Sequence, residues 1–170
     1  NVDLLAWTTT PWTLPGNVAI AVHRDIDYVQ VKAGEREVIV AKARLEDVMA
    51  QAGIEGYQVT AEFKGESLIG KSYIPPFDYY ISNLEIENHD KGWKVYHADF
   101  VTDESGTGIA HEAPAFGAED MQLGQENNLP FIQHVTRSGH FKPEVADFAG
   151  MLVKSVDDHM ATDIEIVKWL

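Results

Sequence analysis

Cysteine is absent from this 170-residue chain. That excludes a disulfide scaffold, a thiol nucleophile and any Cys-ligated zinc or iron–sulfur site. Basic residues are scarce. Thirteen Lys+Arg stand against 27 Asp+Glu, a formal net charge of -14 and a pI near 4.7. A domain that grips nucleic acid or an anionic membrane by its own field needs clustered Lys and Arg, so both are disfavoured. No apolar run approaches the roughly 20 residues of a membrane span, and no signal-peptide pattern is present. Low-complexity tracts, internal repeats and Pro/Gly/Ser linkers are missing as well. The expected setting is reducing and cytoplasmic.

What is present suffices for a core: 45% of residues are hydrophobic and 10% aromatic. The chain enters an apolar run at Val2 with Asn1, not Met, before it. It stops at Leu170 inside a helix-like pattern. The expectation is a single domain over 1–170, excised from a longer protein. Strand signals dominate the first two thirds. Val18 to Val22 is a short apolar run. Tyr28 to Val31 and Glu37 to Val40 flank Ala33-Gly34-Glu35 as a hairpin. Helical spacing over 43–52 puts Leu45, Val48, Met49 and Ala52 on one face before Gly53. Residues 57–63 alternate like a half-buried strand, and 93–98 read as another, with Phe100-Val101 continuing the theme. Helices are expected over 118–127 and 155–170, the latter with a stripe of Val156, Met160, Ile164, Val167 and Leu170. The fold class is mixed α/β and β-rich: a mixed-strand β-barrel or strongly curved sheet edged by helices.

Two stretches stand out. In Thr8-Thr9-Thr10-Pro11-Trp12-Thr13-Leu14-Pro15-Gly16-Asn17, four hydroxyls and two prolines share ten residues. Threonines offer donors and acceptors without charge, and the prolines keep the segment out of a helix interior or central strand. Such a loop can hydrogen-bond a small ligand, or be a solvated turn whose hydroxyls cap their own backbone. The second stretch runs from Gly106-Thr107-Gly108 through His111 and Glu112 to Gly117, Glu119 and Asp120. Its glycines allow close approach of a backbone. Its acids sit where a helix would begin, which fits either the helix dipole or capture of an ammonium group. Several other assignments fail. His111-Glu112 lacks a second zinc-protease His, and Pro114 would break that helix. Gly106-x-Gly108 has no third dinucleotide glycine, no P-loop occurs, and no Ser stands in a G-x-S-x-G elbow. The six other histidines show no ligand spacing.

Together the two stretches resemble the threonine-rich segment and the second motif of the editing (CP1) domain of isoleucyl-tRNA synthetases. Weaker echoes are Tyr73-Ile74-Pro75-Pro76-Phe77-Asp78-Tyr79, Gly139-His140-Phe141 and Phe148-Ala149-Gly150, so the similarity spans nearly the whole chain. The sister domains for valine and leucine put an Arg after two threonines. Here that place is Thr10, followed by Pro11 and Trp12. Position 112 is Glu, expected to add a negative charge beside His111, and position 110 is Ala where a larger aliphatic residue is common in the family.

The resemblance implies a β-barrel insertion domain that hydrolyses Val-tRNA(Ile), with valyl-adenylate as a further substrate. It implies catalytic residues Thr8, Thr9, Thr10, Thr13 and Asp120, and substrate-binding residues Trp7, Asn17, His111, Ala113 and Asp120. Asp120 would hold the α-ammonium, the threonines would orient ester and water, and His111 would line the side-chain pocket. Partners would be the 3'-aminoacyl end of tRNA(Ile), the valine moiety and the rest of the parent synthetase, with no membrane. No metal or cofactor is implied for editing. ATP and Mg belong to the synthetic site, whose His-x-Gly-His and Lys-Met-Ser-Lys-Ser signatures this chain lacks. The alternatives are a non-catalytic module that binds an amino acid or aminoacyl end, and a structural insert.

Overall fold

A computed structural model describes all residues, 1–170. The strands are β1 (Asp3–Leu4), β2 (Ala19–Val22), β3 (Asp27–Ala33), β4 (Arg36–Ala41), β5 (Gln58–Lys64), β6 (Lys94–His97) and β7 (Ala110–Glu112). The helices are α1 (Leu45–Gln51), α2 (Ala118–Asn127) and α3 (Ala161–Trp169), with short 3₁₀ turns between. The strands make two sheets, in the orders β1-β4-β3-β5 and β6-β2-β7. Pairing of β1 with β4 is parallel, while β3 pairs antiparallel with both β4 and β5, so the class is mixed α/β as expected. No closed barrel is found in the strand pairing. In the larger sheet β1 and β5 are edges.

The chain divides into two compact units. The first comprises 1–8, 20–72 and 94–111. Its centre is the β3–β4 hairpin, whose alternating apolar positions put Val29, Val31 and Val40 on one face against Leu45 and Met49 of α1. Burying each such side chain contributes about 1.5–3 kcal/mol. Gly34 makes the turn at φ +63°, which only glycine adopts at no steric cost. The expected helix over 43–52 is Leu45–Gln51, led in by a 3₁₀ turn over Lys42–Arg44. The strand expected at 57–63 forms one residue later, and as an edge strand it is almost wholly exposed, not half-buried. Phe100-Val101 is not in a strand.

The second unit comprises 9–19, 73–93 and 112–170. Its core is aromatic: Phe77, Phe141 and Phe148 with Val135, Val145, Val153 and Ile166. Here one expectation is corrected. The stripe Val156, Met160, Ile164, Val167 and Leu170 faces outward, all exposed, and the last helix begins only at Ala161. Its buried face carries Thr162, Asp163 and Ile166 instead. The reason is pairing. Thr162 Oγ1 donates to the Leu152 carbonyl at 2.6 Å, and the Asp163 carboxylate accepts from two donors, so polar groups go inside satisfied.

Candidate functional site

The threonine-rich segment forms a 3₁₀ turn over Pro11–Gly16 with Thr10 as its N-cap. Proline at the first position suits this, because its missing N–H would have had no partner there. Thr13 closes the turn twice on Thr10: its N–H donates to the Thr10 carbonyl at 3.0 Å and its Oγ1 at 2.8 Å. Thr9 Oγ1 and Thr10 Oγ1 lie 3.4 Å apart, with Thr9 exposed and Thr10 half-buried. Asn17 is buried. Its Nδ2 donates to the Ala19 carbonyl at 2.9 Å and its Oδ1 accepts from the Tyr73 hydroxyl. Thr13 and Asn17 therefore shape the segment, whereas Thr9 and Thr10 present hydroxyls near the surface.

The second motif begins in the first unit. Gly106 and Gly108 hold φ of +62° and +72°. A Cβ on Gly108 would collide with Ala41, so the turn packs where no side chain fits. Tyr28, fully buried, donates its hydroxyl to the Gly108 carbonyl at 2.7 Å, and burial pushes that phenol up to about 12. Trp7, 53% exposed, lies over Gly106, and its N–H donates to the Ile109 carbonyl at 3.2 Å. Trp7 and residues 106–110 line a cavity of about 160 Å³ with Phe100 and Val101. Thr8 and His111 are both half-buried in this unit.

The motif continues in the second unit at Glu112. The Val18 N–H donates to the Glu112 carbonyl at 3.0 Å, which brings the end of the threonine-rich segment alongside the acid-bearing one. Ala113 is buried, and its N–H donates to Asp120 Oδ2 at 2.7 Å. Asp120 stands in the first turn of α2, after the N-cap Gly117. A Cβ on Gly117 would collide with Asp120 Oδ1, so glycine there leaves room for the carboxylate. Asp120 is thus both a favourable charge at a helix start and a fixed, half-buried acceptor. Glu112 is 1% exposed, and its Oε2 has no hydrogen-bond partner. Burial first, then the negative charges of Asp120 and Glu119, raise its carboxyl from 4.5 to about 9. Glu112 is a neutral acid at neutral pH.

Of the expected site residues, Trp7, Thr8 and His111 belong to the first unit. Thr9, Thr10, Thr13, Asn17, Ala113 and Asp120 belong to the second. Within the first unit the structure brings Trp7 onto the glycine turn. Within the second it brings the 17–18 end of the threonine-rich segment onto 112. Sequence reading missed the burial of Glu112, for which no spacing signal exists. It also missed His23, His97 and Asp99, which cluster in the first unit with ligand-type atoms within 4.8 Å. In that cluster each ring Nδ1 accepts a backbone N–H, from Asp25 at 3.2 Å for His23 and from Arg24 at 3.3 Å for His97. With Nδ1 so occupied, each ring turns its Nε2 toward Asp99 Oδ1, at 3.8 Å for His23 and 3.0 Å for His97.

No family model matches the chain. It is 42% identical over 170 residues to an isoleucine–tRNA ligase of Bacillus thuringiensis, covering 100% of this chain and 15% of that protein. It is 41% identical over 167 residues to that of Nocardia farcinica, covering 97% of this chain and again 15% of that protein. The chain thus spans about 15% of the length of the curated relatives it matches. Among solved structures, it is similar to GlLeuRS-CP1, with TM-score 0.62, 21% identity, and 74% of this chain and 44% of that one covered. It is also similar to the editing domain of the P. knowlesi cytosolic leucyl-tRNA synthetase, with TM-score 0.57, 16% identity, and 74% and 51% covered. No helix is long and apolar enough to cross a membrane. The chain is thus similar over its whole length to a segment of isoleucine–tRNA ligases, and it shares the fold of the solved leucyl-tRNA synthetase editing domains.

Proposed function

We propose that the chain is the proofreading domain of an isoleucine–tRNA ligase and hydrolyses Val-tRNA(Ile), with valyl-adenylate as a second substrate. One methylene is too little to separate valine from isoleucine by binding alone, the discrimination problem for which isoleucyl-tRNA synthetase is itself the standard case. A second, smaller site that destroys the valyl ester answers it. The observation that carries this reading is the meeting of the two motifs in the second unit. There the end of the threonine-rich segment runs against Glu112, and Asp120 is fixed one residue further on.

Asp120 holds the substrate ammonium by a charge-assisted hydrogen bond while its Oδ2 stays on Ala113. Thr8, Thr9 and Thr10 orient the ester and the attacking water, with the terminal ribose hydroxyl assisting. A threonine hydroxyl is a poor base, so its work is positioning. Thr13 serves by closing the turn that presents Thr10. Asn17 and Ala113 shape the site on the second unit, and the resemblance assigns Trp7 and His111 to substrate binding, His111 for the amino-acid side chain. The ester is already activated, so the reading calls for no covalent nucleophile, metal or cofactor. With a net charge of -14 the domain grips only the aminoacyl end, and the rest of the synthetase supplies affinity for tRNA. The test is incubation with Val-tRNA(Ile) and Ile-tRNA(Ile), following release of each amino acid. Release of valine but not isoleucine is expected. Binding without release leaves a capture module, and neither leaves a structural insert.

A further inference from the structure

The Trp12 peptide, in the middle of the threonine-rich segment, is held from both sides by side chains more than a hundred residues away. Its N–H donates to Asp163 Oδ1 of α3 at 3.0 Å, and its carbonyl accepts from His134 Nε2 at 2.9 Å. A carbonyl can only accept, so His134 carries its hydrogen on Nε2. Both holding groups are buried, Asp163 2% and His134 0% exposed. Asp163 is paired in turn: Lys154 Nζ donates to its Oδ2 at 2.5 Å. His134 is wedged in place. A Cβ on Gly16 would collide with its ring, Phe116 meets the ring edge-on at 4.6 Å between centroids, and Phe141 stacks on it at 5.7 Å. The Trp12 indole adds only packing, edge-on to Phe116 at 5.1 Å. Its Nε1 is buried with no partner, so the peptide and not the ring is what the hydrogen bonds hold.

Two features set this apart from ordinary core structure. Burying the Asp163 carboxylate against Lys154, itself 42% exposed, is poor value as a source of stability, because desolvation offsets the attraction. And the target is the one peptide between Thr10 and Thr13 whose donor is not masked by proline or by the turn's own closure. We infer that Asp163, backed by Lys154 and opposed by His134, is a positioning residue that sets the conformation of the Thr10–Thr13 turn. This rests on the editing reading for its catalytic consequence, and on the Trp12 amide alone for its structural one.

The test compares Asp163→Ala with Asp163→Asn in the parent synthetase and in this chain. Asparagine keeps an acceptor for the Trp12 N–H, and alanine keeps none. With Val-tRNA(Ile), Asp163→Ala should lower kcat about tenfold or more at nearly unchanged KM, and Asp163→Asn should restore most of it. Hydrogen exchange at the Trp12 amide should speed up in the alanine variant and stay slow in the asparagine one. Equal kcat in all three forms, or a loss that asparagine does not rescue, would overturn the positioning role. If the unaltered protein releases no valine, the editing reading fails separately. The amide exchange then decides: protection that survives Asp163→Ala sinks the clamp, and its loss with recovery in asparagine upholds it.

Discussion

The β3–β4 hairpin and the threonine-rich 3₁₀ turn keep their shapes by opposite means. In the hairpin, partners are close in sequence: Ala33 faces Arg36 across a glycine turn, and the ladder runs on to Tyr28 and Ala41. Its apolar face then finds α1, which follows directly in the chain. In the threonine-rich turn, local closure comes from Thr13 on Thr10 and from the Asn17 N–H on the Leu14 carbonyl, because both prolines lack an N–H. The rest is supplied by His134 and Asp163. The contrast shows how this chain separates foldability from shape. Local pairing makes a framework cheaply, while a turn that must present hydroxyls in one arrangement is fixed by remote, buried polar groups.

The largest expected effect is at the acid beside that turn. Asp120→Asn should weaken Val-tRNA(Ile) deacylation by about 2–5 kcal/mol in kcat/KM, since it removes charge while leaving an acceptor for Ala113. Unchanged turnover would mean that Asp120 is only a helix-start residue, and would place the turn's partners on the structural side of the comparison.

Next comes the buried acid that the hairpin has no counterpart for. Glu112 holds its proton up to about 9 when folded, against 4.5 unfolded. Between those values the folded state binds the proton and the unfolded state does not. Stability therefore falls as pH rises through that window, by up to about 1.4 kcal/mol per pH unit for one proton. Glu112→Gln should flatten that part of the profile and make the protein more stable at neutral pH. Denaturant titrations of both forms from about pH 5 to about pH 8 measure it. Parallel curves would show that Glu112 is ionised in the fold.

The smallest effects separate two glycines. Gly16→Ala drives a methyl into the His134 ring and should destabilise by about 1–3 kcal/mol through overpacking. Gly34→Ala meets nothing within 4 Å and costs only its positive φ, about 1 kcal/mol. Thermal unfolding of both variants ranks them. Equal losses would mean that the threonine-rich turn is no more tightly held from outside than the hairpin.

Much of the framework was legible because it obeys local rules. Period-two apolar residues gave β3 and β4, and Gly34 gave their turn. Acids after Gly117 marked the start of α2. The C-terminal helix starts later than its pattern and keeps its most apolar side outside, a choice governed by the partners of Asp163, which no periodicity encodes. The two motifs were legible as residue types in order. What they lacked in sequence was their support. His134, Lys154 and Asp163 look like unremarkable surface residues until the fold carries Trp12 to them. The burial of Glu112 was hidden likewise, since it runs against the usual place of a charged residue type.

The boundary between the two compact units cuts the chain at Thr8/Thr9 and again at His111/Glu112. Of the five places where the chain passes between units, these two fall inside a motif. Neither unit can then be exchanged by recombination at its natural limits without severing the threonine run and the His-Glu pair together. A chimera that respects the units would carry the two halves of each motif from different parents.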